Sequence, residues 1–114
     1  MNFDEFLAGT ERNAWLNEKH MAIYVRRSMR PIGVSDAMIP CLDLANVTVD
    51  EKKRGGGVLT LFIKRAEREA KARKRAVYVE SILEPRLIPF LTKNGYAFVP
   101  RTCMDCPSMY KIPA

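Results

Sequence analysis

The sequence predicts an α/β fold in which at least one pair of strands is parallel. Strand-like segments and two helical patterns alternate between residues 41 and 100. A strand–helix–strand order brings two strands side by side in the same direction through a crossover connection. The 114 residues suffice for one core. We therefore expect a single domain over residues 1–114.

The N-terminal third predicts helical turns followed by a strand. Residues 2–17 carry a broken helical stripe of apolar side chains, interrupted at Gly9, which indicates one or two short helical turns. Residues 20–32 alternate roughly between apolar and polar side chains and are rich in isoleucine, tyrosine and valine, as strands are. Pro31 and Gly33 end this strand.

A second strand, three glycines and a helix come next. Residues 41–49 predict the strand, and glycines 55–57 follow it after a basic stretch. Beyond the glycines, apolar side chains recur at helical spacing with charged side chains on the other side, which predicts an amphipathic helix. These apolar residues are Leu59, Phe62, Ile63, Ala66 and Ala70.

The last third predicts three short strands and a helix. Residues 76–81 indicate a buried strand, and residues 84–95 a helix that ends at a glycine. Residues 96–100 and 109–112 predict the remaining strands.

Charge and cysteine content narrow the classes of function. Nineteen lysines and arginines against thirteen acidic residues give a formal charge of +6, which favours anionic partners such as nucleotide phosphates, nucleic acid or an acidic protein. The N-terminus lacks a secretory pattern, no apolar run is long enough to span a membrane, and three cysteines are too few for a disulfide framework. We expect a cytoplasmic protein.

The glycine triplet predicts a phosphate site. A strand, a glycine-rich turn and a helix start can aim backbone N–H groups and the positive end of the helix dipole at one point. The alternative is a surface turn with solvated lysines. The P-loop pattern does not fit, because no Lys-Ser or Lys-Thr follows, and the dinucleotide pattern would need a glycine where Thr60 stands.

Residues 54–59, RGGGVL, resemble the [Q/R]-x-x-G-x-[G/A] loop of the GNAT superfamily, the acyl-CoA-dependent N-acyltransferases. The strand before the loop matches that family's central strand, and residues 93–96, KNGY, are similar to its K-x-G-[FY] step. Leu59 departs from the small residue expected last. The resemblance covers residues 42–96, and the 36 residues at the N-terminus are too few for the usual first strand and paired helices. It therefore implies a reduced member.

The resemblance implies a GNAT-like mixed, mostly antiparallel sheet with a central splayed parallel strand pair and flanking helices. It also implies acetyl-CoA as co-substrate and no metal. The pantetheine arm would pair with the backbone of Val47 and Val49, as an added strand would. The pyrophosphate would lie on the backbone amides of Arg54, Gly55, Gly56, Gly57, Val58 and Leu59.

The resemblance also implies roles in catalysis. The backbone N–H of Val47 would stabilise the developing oxyanion, and the carboxylate base of some members falls at Asp43, six residues before Val49. The alternative for this aspartate is an ion pair with Arg26 or Arg27.

The tyrosine that often serves as general acid in the family falls at Leu91, and Glu84 stands where an asparagine is common. Tyr110 is the replacement acid that we would test first. The other tyrosines, Tyr24, Tyr78 and Tyr96, are as well explained as core aromatics.

Other patterns point to no site. Cys103 and Cys106 have C-x-x-C spacing, but no second pair follows and the only histidine is His20, so neither zinc nor redox chemistry is expected. Cys41 fits a strand position. The basic run at residues 64–75 is typical of a solvated helix face, although it could reach the 3′-phosphate of CoA or an acidic partner.

The sequence therefore predicts transfer of an acetyl group from acetyl-CoA to an amine, with a protein lysine on an acidic partner as the acceptor. Dimerisation could complete the pocket. One alternative is a non-catalytic GNAT fold that binds CoA or a protein. Another is a small basic nucleic-acid-binding module, which is disfavoured because no recognised signature is present and no aromatics interleave with the basic run.

Overall fold

The computed structural model of the chain describes residues 1–32, 37–82, 86–100 and 105–113. The strands are β1 (Asn13–Glu18), β2 (Met21–Arg30), β3 (Ile39–Val49), β4 (Ala76–Val79), β5 (Ala97–Phe98) and β6 (Met109–Lys111). The helices are α1 (Phe3–Ala8), α2 (Val58–Ala72) and α3 (Leu87–Lys93), and a 3-10 turn covers Glu51–Lys53.

The strands form a single sheet in the order β1-β2-β3-β4-β6-β5. Strands β3 and β4 are parallel, with α2 as their crossover, and the other neighbouring strands are antiparallel. This confirms the predicted α/β fold with a mixed, mostly antiparallel sheet and a central parallel pair.

The helical turns predicted for residues 2–17 form in only the first part of that segment. Helix α1 forms as expected, and Asn2 and Glu5 close a capping box at its start. Residues 13–18, however, form β1 rather than a helical turn. Leu16 is fully buried while Trp15 is 54% exposed, which is the two-residue alternation of a strand. A tight turn with His20 at φ 67° joins β1 to β2.

All three helices pack on one face of the sheet. The rings of Phe3 in α1 and Phe62 in α2 lie 5.0 Å apart, and Leu91 of α3 is buried in the same core. The strands contribute Leu16, Met21, Ile23, Val25, Leu42, Leu44, Val77, Val79 and Met109 to it. Pro89 is the third residue of α3, where a helix has no acceptor for an N–H, so it interrupts no hydrogen bond.

The other face of the sheet carries a smaller core and a polar cluster. Tyr78 packs in a second apolar group with Ile32, Cys41 and Ala76. On neighbouring strands Arg26 pairs with Asp43, and Asp43 pairs with Tyr78, so these three residues share that face.

In the described part of the chain, no helix is long and apolar enough to cross a membrane.

Candidate active site

The parallel ladder between β3 and β4 ends partway along β3. Its last pair is Leu44 with Val79, and the N–H of Glu80 then donates to the Leu44 carbonyl at 3.0 Å. Strand β3 continues to Val49, whereas the chain after β4 turns away at Ser81. The two strands therefore separate and leave an opening between them.

Backbone irregularities lie on both sides of this opening. In β3, residues 46 and 47 face Ile23 alone on β2, so β3 has one extra residue there, a β-bulge. Asn46 has φ 48° and Ser81 has φ 47°, both in the left-handed region that non-glycine residues seldom occupy. Such strain is typical of functional sites.

The opening forms a cleft of about 750 Å³ on the helical side of the sheet. Ligand pockets commonly have about 300–1,000 Å³, so its volume suits a cofactor. Seven of the eight residues predicted to bind the cofactor line it: Val47, Val49, Arg54, Gly55, Gly57, Val58 and Leu59. Gly56 belongs to the same loop but does not line the cleft. The structure therefore brings the predicted strand and loop together around one cavity.

The glycine loop turns the start of α2 toward this cleft. Gly55 and Gly57 have φ values of 79° and 84°, which other residues adopt only with strain. The first hydrogen bond within α2 runs from the Leu61 N–H to the Gly57 carbonyl at 2.9 Å. The N–H groups of Val58, Leu59 and Thr60 therefore have no hydrogen-bond acceptor within α2. Three donors and the positive helix end lie at the mouth of the cleft.

Arg54 holds this loop against β3. Its Nε donates to the Val49 carbonyl at 3.2 Å, at the end of the strand. The Thr60 hydroxyl donates back to the Gly57 carbonyl at 3.0 Å within the first turn of α2. Lys53 also lines the cleft, which adds positive charge where an anionic group would enter.

A smaller cavity of about 220 Å³ adjoins the first. Its lining residues are Tyr24, Arg26, Ala45, Asn46, Glu80 and Ser81, of which the last four also line the larger cleft. The two cavities therefore meet where β3 and β4 separate. The gap between these strands therefore borders both cavities.

Asp43 is fully buried and lies opposite Arg26, which lines the smaller cavity. It accepts hydrogen bonds from Arg26 Nε at 2.9 Å, from Arg30 Nη2 at 2.8 Å and from the Ser28 hydroxyl at 2.7 Å. The hydrogen bonds to Asp43 are the largest cause of the raised pKa values of Arg26 and Arg30. Asp43 lines neither cavity. Its role as base remains a prediction, and its contacts favour the ion-pair alternative.

Arg27, the other partner considered for Asp43, lies on the opposite face of the sheet. Its guanidinium donates to the carbonyls of Phe6 and Glu11 and lies 4.2 Å from the centre of the Phe6 ring. Burial lowers its pKa. Arg30 occupies the second position beside Asp43 instead, and it also stacks over Tyr78 at 4.2 Å.

The tyrosines are distributed differently from the sequence expectation. Tyr110 pairs with Tyr78 on β4, packs against the second apolar group and lines neither cavity. Its role as acid remains a prediction. Tyr24 is the tyrosine that lines a cavity. Tyr96 is buried, its hydroxyl donates to Glu67 at 2.9 Å, and burial raises its pKa.

Leu91, at the family's tyrosine position, is fully buried, and Glu84 lies outside the described residues. Sequence reasoning missed Glu80 and Tyr24 as lining residues. The position of Glu80 directly after a buried parallel strand was the available signal, since the ends of such strands commonly border ligand sites.

Two of the three cysteines lie within the described residues. Cys41 is buried on β3, and burial raises the pKa of its thiol to about 11. Cys106 is half-buried, and Cys103 lies outside the described residues. Among the residues that the structure describes, no cluster of histidine, cysteine and carboxylate side chains could hold a metal ion.

No protein-family model and no curated protein matches the sequence. Solved structures do match. AtaT complexed with acetyl-methionyl-tRNAfMet has a TM-score of 0.60 and 16% identity over 81% of this chain and 61% of that one. A mutant AtaT toxin bound to the C-terminus of the antitoxin AtaR and acetyl-CoA has a TM-score of 0.55 and 17% identity, covering 80% and 57%.

A third match is the histone acetyltransferase HPA2 and related acetyltransferase from Corynebacterium glutamicum, with a TM-score of 0.54 and 16% identity over 83% of this chain and 66% of that one. The chain thus spans less than two thirds of the length of each of these proteins. At such identities the likeness concerns the fold. The chain has the fold of the GNAT acyltransferases, as the glycine loop and the K-x-G-[FY] step predicted.

Proposed function

We propose that the chain is an N-acetyltransferase that moves an acetyl group from acetyl-CoA to an amine. The observation that carries this proposal is the cleft at the separated ends of β3 and β4, with the glycine loop and the start of α2 at its mouth. One structural neighbour contains acetyl-CoA, and another is described as an acetyltransferase. Both support the proposal.

Acetyl-CoA has two parts that suit this cleft. Its pyrophosphate would accept hydrogen bonds from the backbone amides of Gly55, Gly57, Val58 and Leu59, beside the charge of Lys53. The predicted amides of Arg54 and Gly56 are less suited, because they already donate to the Glu51 and Lys53 carbonyls at 3.4 and 3.2 Å. Its pantetheine arm would lie along β3, where residues 47 and 49 line the cleft beyond the last pair with β4. The thioester would then lie near the gap between the two cavities, with the Val47 N–H as the oxyanion donor.

The reaction needs a neutral amine in contact with the thioester. An ordinary lysine has a pKa near 10.4, about three units above physiological pH, so about 4 kcal/mol is needed to deprotonate it. The nitrogen then bonds to the acetyl carbon, the carbon–sulfur bond breaks, and the second amine proton ends on the sulfur of CoA. The products are an amide, the CoA thiol and one proton released to solvent. Holding both reactants at the gap supplies the orientation that the attack requires.

The acceptor would enter from the smaller cavity. Its volume of about 220 Å³ is small beside the ~300–1,000 Å³ of common ligand pockets, so it suits an amine-bearing arm better than a larger metabolite. We therefore propose a lysine side chain on a protein, whose surface supplies the remaining contacts. The formal charge of +6 favours an acidic partner. One neighbour is complexed with acetyl-methionyl-tRNA, which makes an amine on RNA the competing outcome.

Calorimetry with acetyl-CoA tests the proposal, combined with measurement of CoA thiol release in the presence of a lysine-rich protein. We expect one saturable binding site and acceptor-dependent thiol release. A folded protein that does not bind acetyl-CoA would refute the proposal. Binding without release to any amine would support the non-catalytic alternative.

A further inference from the structure

Glu80 lies where the two cavities meet. Its side chain is 32% exposed and lines both of them. Arg26 Nη2 donates to Oε2 at 2.7 Å, whereas Oε1 lies 3.9 Å from Arg30 Nη2, beyond hydrogen-bond distance. Among the described residues, the carboxylate therefore accepts a hydrogen bond at Oε2, while Oε1 has only the longer ion pair with Arg30.

The charges around Glu80 are balanced before any ligand arrives. Arg26 and Arg30 contribute two positive charges, and Asp43 and Glu80 contribute two negative ones. Asp43 is fully buried and takes a hydrogen bond from each arginine. Glu80 is therefore the acidic member of the cluster that lines a cavity, and Arg26 lines the smaller cavity beside it.

We propose that Glu80 binds the ammonium form of the acceptor in the smaller cavity and positions its nitrogen at the gap. The inference rests on the proposed function, because the gap matters only if acetyl-CoA occupies the larger cleft. The ligand class is a primary ammonium on an unbranched chain. Tyr24 contributes an aromatic wall that suits the methylene groups of such a chain, and its ring is supported by Trp15 at 5.4 Å.

The arrangement makes Glu80 a positioning residue. Arg26 lies on β2, and its side chain donates to Asp43 on β3 and to Glu80 directly after β4. It therefore holds the Glu80 carboxylate at the place where β3 and β4 separate. A charge-assisted hydrogen bond of this kind changes affinity about tenfold or more. Removal of the charge should therefore raise the KM for the amine by at least about tenfold while acetyl-CoA affinity and kcat change far less.

The probe for this site is butylammonium, which has the four-carbon chain and charge of a lysine side chain. Titration into ¹⁵N-labelled protein should shift the backbone amide signals of Ala45, Asn46, Glu80 and Ser81 in a saturable way. Butanol and butyrate should not shift them. In Glu80→Gln the Kd for butylammonium should be at least tenfold higher than in the wild type, and Glu80→Asp should recover part of this affinity.

Glu69→Gln is the matched control. Glu69 is also about one-third exposed and is paired with an arginine, Arg73 Nη1 at 2.6 Å, but it lines neither cavity. It should titrate as the wild type does. Wild-type protein in which butylammonium leaves the amides around Glu80 unshifted would overturn the inference, without any need for a folded variant. Equal titration of Glu80→Gln and wild type would overturn it as well.

The two proposals fail in different ways. If acetyl-CoA does not bind while butylammonium still titrates the Glu80 amide, the acetyltransferase proposal is refuted and the ammonium site remains. If acetyl-CoA binds and amines are acetylated with the same KM by Glu80→Gln, the function remains and the role of Glu80 is refuted.

Discussion

Arg26 and Asp43 lie directly opposite each other on β2 and β3, and Arg26 Nε donates to Asp43 Oδ2 at 2.9 Å. The carboxylate is fully buried, and Arg30 and Ser28 donate to it as well. A buried charge with this many partners is costly to leave incomplete.

Asp43→Ala should lower the free energy of unfolding by about 3–5 kcal/mol, because two arginines would lose their common acceptor. Asp43→Asn should cost less, since the amide oxygen can still accept one bond. Urea denaturation of both variants measures the effect. The control is Asp4→Ala, since Asp4 is paired with Arg65 but is 81% exposed and should change stability by less than about 0.5 kcal/mol.

An Asp43 variant with nearly wild-type stability but a large loss of kcat would contradict this prediction. It would instead support the sequence-based assignment of Asp43 as the proton acceptor.

Gly57→Glu should weaken acetyl-CoA binding at least tenfold, or about 1.4 kcal/mol, because it places negative charge at the start of α2 where phosphate is expected. The residue has φ 84°, so any side chain also strains the backbone by about 1–2 kcal/mol. Gly57→Ala separates the two effects, since a Cβ there would meet Thr60 Oγ1 at 3.5 Å, an ordinary contact. Calorimetry should show a much smaller loss for alanine than for glutamate.

Gly95→Ala is the matched control for backbone strain. Gly95 has φ 90° and lies after α3, outside both cavities. It should lose stability without losing acetyl-CoA affinity. Equal affinity of Gly57→Glu and wild type would count against a phosphate site at this loop.

The sequence was informative where local pattern decides structure. Helix α2 forms from Val58 to Ala72 because its apolar residues repeat at helical spacing. Of the three glycines before it, Gly55 and Gly57 have the left-handed backbone that their residue type suggested. Strand β1 was missed because adjacent apolar residues, Ala14 and Trp15, fit a helical turn as well as a strand. Pairing with β2 decides the outcome.

The ion cluster of Arg26, Arg30, Asp43 and Glu80 could not be predicted from the local sequence pattern. Arg26 and Glu80 are 54 residues apart in sequence, and their contact depends on the order of β2, β3 and β4 in the sheet. Asp43 could be placed on a strand from its neighbours, but whether Arg26, Arg27 or Arg30 would meet it depends on strand register. A shift of one residue would have moved these side chains to the other face.

The Cys41 thiol should react slowly in the folded protein. Burial raises its pKa from 9.0 to about 11, so at pH 8 its thiolate fraction is about a hundredfold lower than that of an ordinary thiol. In a variant with Cys103 and Cys106 replaced by serine, iodoacetamide should label Cys41 rapidly only in urea. Comparable labelling rates in folded and unfolded protein would contradict the burial of this side chain.

The same pKa shift has a consequence for stability. Because the folded pKa is raised, the neutral thiol favours the folded state, and its contribution is complete below pH 9 and is lost as the pH rises toward 11. Tyr96, whose pKa is also raised by burial, acts in the same direction at high pH. Replacement of Cys41 by alanine should therefore reduce the loss of stability between pH 9 and 11, as measured by urea denaturation at each pH.

The acceptor should be a protein lysine. The smaller cavity has about 220 Å³ and suits an amine-bearing arm, so most of the binding energy would come from a larger partner surface. Incubation of the protein with labelled acetyl-CoA and a cell lysate, followed by separation into protein, RNA and small-molecule fractions, measures where the acetyl group goes. We expect label in protein, and less of it as salt is raised, because the formal charge of +6 favours an acidic partner. Gly57→Glu serves as the control for label that arrives without the enzyme. Label confined to RNA would replace lysine with an RNA-borne amine as the acceptor, and label confined to small molecules would refute a macromolecular acceptor altogether.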